Sequence, residues 1–145
     1  MTIQRMDNIG VVVEDLAAAI AFFLELGLEL EGEARVEGPV VDRLVALDGV
    51  QCDLAVVRTP DGHGRLELMK FHTPAAIPAE PNAPVNTLGF RRIMFIVDDI
   101  EDVLARLQAR GGELMGELVR YEDSYELCYV RGPEGIIVAL AEKLS

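Results

Sequence analysis

Few side chains in this chain have types that do chemistry, and their surroundings narrow what each can do. There are two histidines, His63 and His72, and two cysteines, Cys52 and Cys128. His63 lies in Pro60-Asp61-Gly62-His63-Gly64, residue types that reverse a chain, so it reads as a loop residue. His72 follows an apolar run ending at Phe71 and precedes Thr73-Pro74, which places it at a strand end. Cys128 has no histidine or other base near it in sequence, and both cysteines read as structural thiols. Tyr121, Tyr125 and Tyr129 recur every fourth residue, but Glu122-Asp123-Ser124 reads as a turn. Tyr125, Leu127 and Tyr129 then share one strand face, with Glu126, Cys128 and Val130 on the other. That tyrosine face either walls a small-molecule pocket or packs in the core or rim. Gly111-Gly112 follows a helix instead of opening one, so it is no phosphate loop. Glu29, Glu31, Glu33 and Glu37 alternate along a strand and read as one solvated face.

Composition limits the partners. The chain has 145 residues, half of them hydrophobic, and a formal net charge of −12. That suffices for one compact core. It argues against a nucleic-acid partner, because phosphate binding needs a basic face. No stretch is long and apolar enough to cross a bilayer, and Met1 to Asp7 lacks the apolar core of a secretory signal. With two cysteines in no framework spacing, the expectation is a reduced, cytoplasmic protein without a membrane partner.

The elements that position these residues come from an internal repeat. Asn8 to Glu33 and Arg92 to Glu117, offset by 84, are identical at nine of 26 positions, including Ile9/Ile93, Asp15/Asp99, Gly27/Gly111 and Gly32/Gly116. In each copy β-branched or aromatic residues at a spacing of two predict a strand (Ile9, Val11, Val13; Ile93, Phe95, Val97). Asp15 and Asp99 are then helix N-caps, and Gly27 and Gly111 end the helices. The buried helix stripes are Leu16, Ile20, Phe23 and Ile100, Val103, Leu104, Leu107. Three strands follow in each copy: around 29–36, 42–47 or 52–58, and 65–71; then 113–121, 125–131 and 136–142. Pro74 to Thr87 holds four of the seven prolines and reads as a stiff extended connector. The expectation is an α+β fold in one domain, 1–145, made of two βαβββ modules at 1–73 and 88–145 joined by residues 74–87.

On these residues the chain resembles the vicinal oxygen chelate superfamily, which groups glyoxalase I, bleomycin-resistance proteins, extradiol dioxygenases and methylmalonyl-CoA epimerase. The resemblance rests on Asp7-Asn8-Ile9-Gly10-Val11-Val12-Val13-Glu14-Asp15-Leu16, on Leu66-Glu67-Leu68, on Val97-Asp98-Asp99-Ile100, and on Arg131-Gly132-Pro133-Glu134-Gly135 running on to Glu142. It implies curved mixed sheets around a cleft, helices outside, and a homodimer, since open sheets leave edges to be paired. It also implies a metal-ligand position on the first and last strand of each module. Here those positions are Asn8, Glu67, Arg92 and Ala139, where metal-dependent members usually carry His, Glu or Gln, His and Glu.

Those departures decide the functional expectation. Arginine stays protonated, alanine offers no donor, and an amide oxygen is a weak ligand for transition metals. The expectation is that the family metal is lost and that no cofactor is bound, with a divalent metal only as the alternative. A replacement site built from the two histidines and Glu67 is a further alternative. Glu67 and Arg92 are then either a structural ion pair or working groups, Glu67 as a proton-transfer base and Arg92 as an anchor for a carboxylate or enolate. The expected substrate-binding residues are Asn8, Glu67, Arg92, Tyr125 and Tyr129. The favoured function is metal-free binding of a small organic ligand in the cleft, in the manner of a bleomycin-resistance protein. The alternative is a glyoxalase- or epimerase-like lyase or isomerase acting on a small oxygenated metabolite.

Overall fold

The first repeat folds as its alternation dictates. Ile9–Val12 (β1), Glu29–Glu37 (β2), Gln51–Arg58 (β3) and Arg65–Thr73 (β4) form a four-stranded sheet in the order β1-β4-β3-β2. β1 runs parallel to β4, and the other pairs are antiparallel. The computed structural model describes residues 2–144, so Met1 and Ser145 of the expected modules lie outside it. The chain divides into two compact units, Met1–Pro78 and Ala79–Ser145, with the boundary inside the proline-rich segment.

Leu16–Leu26 (α1) starts where Asp15 accepts a hydrogen bond from the Ala18 amide at 3.0 Å. It ends at Gly27, whose φ of +123° suits glycine alone. Its buried side chains are Ala19, Phe22, Phe23 and Leu26, packed with the buried Ala55, Val57, Leu66 and Leu68 of the sheet. Leu16 and Ile20 are only half-buried. The true stripe is thus turned from the expected one, because Phe22 and Phe23 both enter the core, ring against ring at 5.3 Å.

Of the alternatives 42–47 and 52–58 for the third strand, the second holds. Residues 42–47 instead belong largely to a short helix, Pro39–Val45 (α2), opened by Gly38 and by Pro39 at its first turn. The Asp42 carboxylate accepts from the Gly49 and Val50 amides at 3.0 and 2.9 Å, tying the end of this helical insertion to β3.

The second unit repeats the plan without that insertion. Arg92–Ile96 (β5), Glu113–Tyr121 (β6), Tyr125–Arg131 (β7) and Ile137–Lys143 (β8) pair in the order β5-β8-β7-β6, with β5 parallel to β8. Ile100–Ala109 (α3) is capped by Asp99 and buries Ile100, Val103, Leu104 and Leu107, as the periodicity predicts. Glu142 on β8 also accepts from the Ile100 amide at 2.8 Å, fixing the start of α3 to the sheet.

The connector is not wholly the extended spacer its prolines suggest. Arg131 donates to the carbonyls of Pro81 and Ala83, at 3.1 and 2.9 Å, and Ala83 is buried. Its second half is therefore part of the second unit.

Candidate functional site

Strand alternation assigns the faces. Leu66 and Leu68 are in the core beneath α1, so Arg65, Glu67 and Met69 look to the face of the first sheet opposite α1. β1 places Gly10 beside Glu67, and β3 places Val56 opposite it. A Cβ at Gly10 would stand 2.9 Å from Cε of Met69, the mobile end of a flexible side chain that would have to turn aside. Asn8, two residues before Gly10, projects to the same face. Asn8, Val56 and Glu67 line one open cavity of about 510 Å³ with Arg5, Asp7, Glu31, Gly62 and Arg65.

The charges around this cavity are mostly paired. Arg65 grips Glu31 with two parallel bonds, Nε to Oε2 at 2.9 Å and Nη2 to Oε1 at 3.0 Å, and spends Nη1 on the Gly62 carbonyl. The Arg65 hydrogen bond holds the Glu31 carboxyl below its usual range, and Glu31 in turn raises Arg65. Asp7 accepts from the Asn8 amide at 2.9 Å and from Arg5 at 3.1 Å, which lowers its carboxyl, the Asn8 bond most. Glu67 takes no hydrogen bond or ion pair among the described residues.

In the second unit the register carries the repeat further than sequence identity does. Gly10 and Met94 are equivalent at the 84-residue offset, and their partners on β4 and β8 are Glu67 and Ala139. Across the sheet, Val56 opposes Glu67 as Tyr129 opposes Ala139. Asn8, Val56 and Glu67 therefore correspond to Arg92, Tyr129 and Ala139. The Arg92 guanidinium carbon lies 5.5 Å from the centroid of the Tyr129 ring, a cation–π contact. With β8 between them, the Arg92 side chain has to lean across that strand, over the small residue Ala139. Within the second unit Arg92 stacks on Tyr129, and within the first unit Glu67 takes no hydrogen bond or ion pair among the described residues.

Tyr125 and Leu127 share the helix-free face with Tyr129, and Tyr121 joins them because it is the cross-strand partner of Tyr125. The turn between them is as read, with Glu122 and Asp123 at positive φ. Cys52 and Cys128 are buried, and desolvation pushes both thiols up, as structural thiols require. His63 lies in the Pro60–Gly64 turn, its amide donating to Asp61, and His72 contacts Asp53 at 2.7 Å. Neither lines the cavity.

The residues at the family ligand positions do not fit a transition metal. Glu67 is one carboxylate, the Asn8 amide nitrogen is given to Asp7, Arg92 brings a cation stacked on Tyr129, and Ala139 has no donor atom. No group of three or more His, Cys, Asp or Glu able to hold an ion occurs among the described residues.

Sequence reading missed Arg5, Asp7, Glu31, Val56, Gly62 and Arg65 as cavity residues. Glu29, Glu31, Glu33 and Glu37 read as a single solvated face, but the ladder slips between Leu30 and Gly32, so Glu29 and Glu31 stay on the face of Arg58 and Arg65 while Glu33 lies opposite Ala55. Gly32 within a strand was the available signal.

Comparison with known proteins follows the same lines. Residues 5–140 match the model of the Glyoxalase/Bleomycin resistance protein/Dioxygenase superfamily. A crystal structure of a glyoxalase family protein from Bacillus cereus is 50% identical, with a TM-score of 0.96, over 100% of this chain and 97% of that one. YaeR of Escherichia coli, an uncharacterized protein, is 26% identical over 97% of this chain and 98% of its own length. A glyoxalase/dioxygenase from Nostoc punctiforme shares the fold at 20% identity and a TM-score of 0.69, covering 99% of this chain and 94% of that one.

Proposed function

For a chain that belongs to the Glyoxalase/Bleomycin resistance protein/Dioxygenase superfamily, we propose the role of a small-molecule binder that works without the superfamily's metal. The observation that carries this reading is the fate of the ligand positions. Asn8 and Glu67 line a cavity large enough for a metabolite, while Arg92 and Ala139 supply no metal donor. What remains is a recessed surface with a fixed pattern of polar groups, which is how small-ligand sites recognise their targets.

The test joins metal analysis to ligand screening. Purified protein should carry far less than one equivalent of Zn, Ni or Mn, and chelator should leave its Tm unchanged. In a metabolite screen at least one small organic compound should raise the Tm of the chelated protein, and Val56→Trp, which fills the cavity, should abolish that rise. A stoichiometric transition metal bound through Glu67 overturns the reading.

One observation favours a second reading, that of a lyase or isomerase. A carboxylate without a partner, as Glu67 is, is available to accept a proton from a carbon acid. Incorporation of solvent deuterium into a small oxygenated metabolite, lost in Glu67→Gln, would establish it.

A further inference from the structure

The hydrogen-bonding inventory of the cavity specifies one half of its ligand, and this step rests on the binding reading above. Both Asp7 oxygens are occupied, Oδ1 by Arg5 and Oδ2 by Asn8. Both Glu31 oxygens are held by Arg65. Each guanidinium nitrogen of Arg65 gives an N–H, two to Glu31 and one to the Gly62 carbonyl, and its charge is matched by Glu31. The orientation of Asn8 is fixed by chemistry, since a carboxylate only accepts and the amide must present its nitrogen to Asp7. The amide oxygen is then left over.

The uncommitted acceptors in the lining are both oxygens of Glu67 and the carbonyl oxygen of Asn8, and the N–H groups still open belong to Arg5 and Arg65, whose charges Asp7 and Glu31 already match. Arg5 and Arg65 are matched by Asp7 and Glu31, so the charge left unmatched in the lining is the Glu67 carboxylate. A ligand anion would meet that unmatched carboxylate, while the charges of Arg5 and Arg65 are already balanced by Asp7 and Glu31. A ligand cation with several N–H groups would satisfy all three acceptors.

We propose that this cavity takes a protonated primary amine or a guanidinium group of a small organic ligand, with Glu67 as counter-ion and the Asn8 carbonyl as second acceptor. The alkyl part of such a ligand has Val56 to lie against. One carboxylate and one amide are enough for an ammonium, which asks only for acceptors. They are too few for a transition metal, which asks for several converging donors.

The test uses three probes on one carbon skeleton: 1,5-diaminopentane, 1,5-pentanediol and glutarate. Each is titrated into the ¹⁵N-labelled full chain at physiological salt, after chelation. The diamine should shift the amide signals of Asn8, Val56, Gly62 and Glu67, and its affinity should fall about tenfold or more in Glu67→Gln, an isosteric change that removes only the charge. The diol and glutarate should leave those signals in place. Equal diamine affinity in Glu67→Gln would show general attraction to a chain of charge −12 and overturn the proposal. Preferential binding of the diol or glutarate in the cavity overturns the amine assignment while the binding reading stands. If no probe moves the cavity signals, the amine assignment falls, and a metabolite that still raises the Tm in the screen above would preserve the binding reading without it.

Discussion

The Arg92 guanidinium stands 5.5 Å from the Tyr129 ring centroid, and the two residues lie on strands separated by β8. That geometry explains why the departures at positions 92 and 139 go together. An arginine on β5 reaches an aromatic ring on β7 only if the residue between them on β8 is small, and Ala139 is the residue there. In the first unit the equivalent three positions hold Asn8, Val56 and Glu67 and line an open cavity. One half of the repeat has kept its recess, and the other has laid a side chain across it. A double-mutant cycle with Arg92→Ala and Tyr129→Leu, read by urea unfolding, should give a coupling of about 0.5–1 kcal/mol. A much larger loss in Arg92→Ala alone, recovered by Glu67→Gln, would instead show that the two charges are coupled.

The repeat was legible because its caps and strand periods are local. Asp15, Asp99, Gly27 and Gly111 act through their own backbone neighbourhoods, and the alternation of Ile9 to Val13 needs no partner to be read. Residues 39–45 were not legible as a helix, since Val40, Val41, Leu44 and Val45 are β-branched or apolar, and it is Gly38, Pro39 and the Asp42 hydrogen bonds that fix the helix. Glu67 stood out through the resemblance, but its neighbours did not. Arg65 and Glu31 are 34 residues apart, and only the pairing of β2, β3 and β4 brings them together. Arg92 was recognised as a misfit to a metal site, while its partner Tyr129 could be found only from the strand register.

Asp53 should govern part of the acid limb of stability. It accepts from Arg35 and His72, and these bonds, Arg35 first, hold its carboxyl at about 2 against an ordinary 3.8. A folded-state value below the unfolded one means the group stabilises the fold above the unfolded value, and that contribution is lost as pH falls towards 2. Unfolding free energies measured by urea between about pH 5 and 2 should therefore decline less steeply in Asp53→Asn than in the parent. An unchanged slope would mean that the pair does not persist in solution.

Self-association is expected from the helix-free face of the second sheet. Met94, Ile96, Val119 and Tyr121 all present large exposed side chains on it or at its edge, with Ile96 at 66%. Apolar area of this kind usually marks an interface. Sedimentation should find a homodimer, and the Tm should rise with protein concentration. Ile96→Lys should weaken the dimer, whereas a monomer with a concentration-independent Tm would exclude this surface as an interface.

The connector offers a sharper test, because a single hydrogen atom governs how closely it can approach. Gly135 has φ +81°, and a Cβ there would stand 2.1 Å from the Pro81 carbonyl oxygen. That is backbone against backbone, so no side-chain rotation relieves it. The same carbonyl accepts from Arg131, which also holds Ala83 and the Gly135 carbonyl. Gly135→Ala must therefore either lift Pro81 away and break the Arg131 bond, or shift the Pro133–Gly135 turn in front of β8. With the left-handed backbone added, the cost should be about 2–4 kcal/mol, at the severe end for a surface turn. Arg131→Met loses the bonds to Pro81, Ala83 and Gly135 but introduces no clash and should cost less, about 1–2 kcal/mol. Both should expose the 79–90 segment to limited proteolysis. If Gly135→Ala unfolds like the parent and the segment stays protected, the connector is not docked on the second unit.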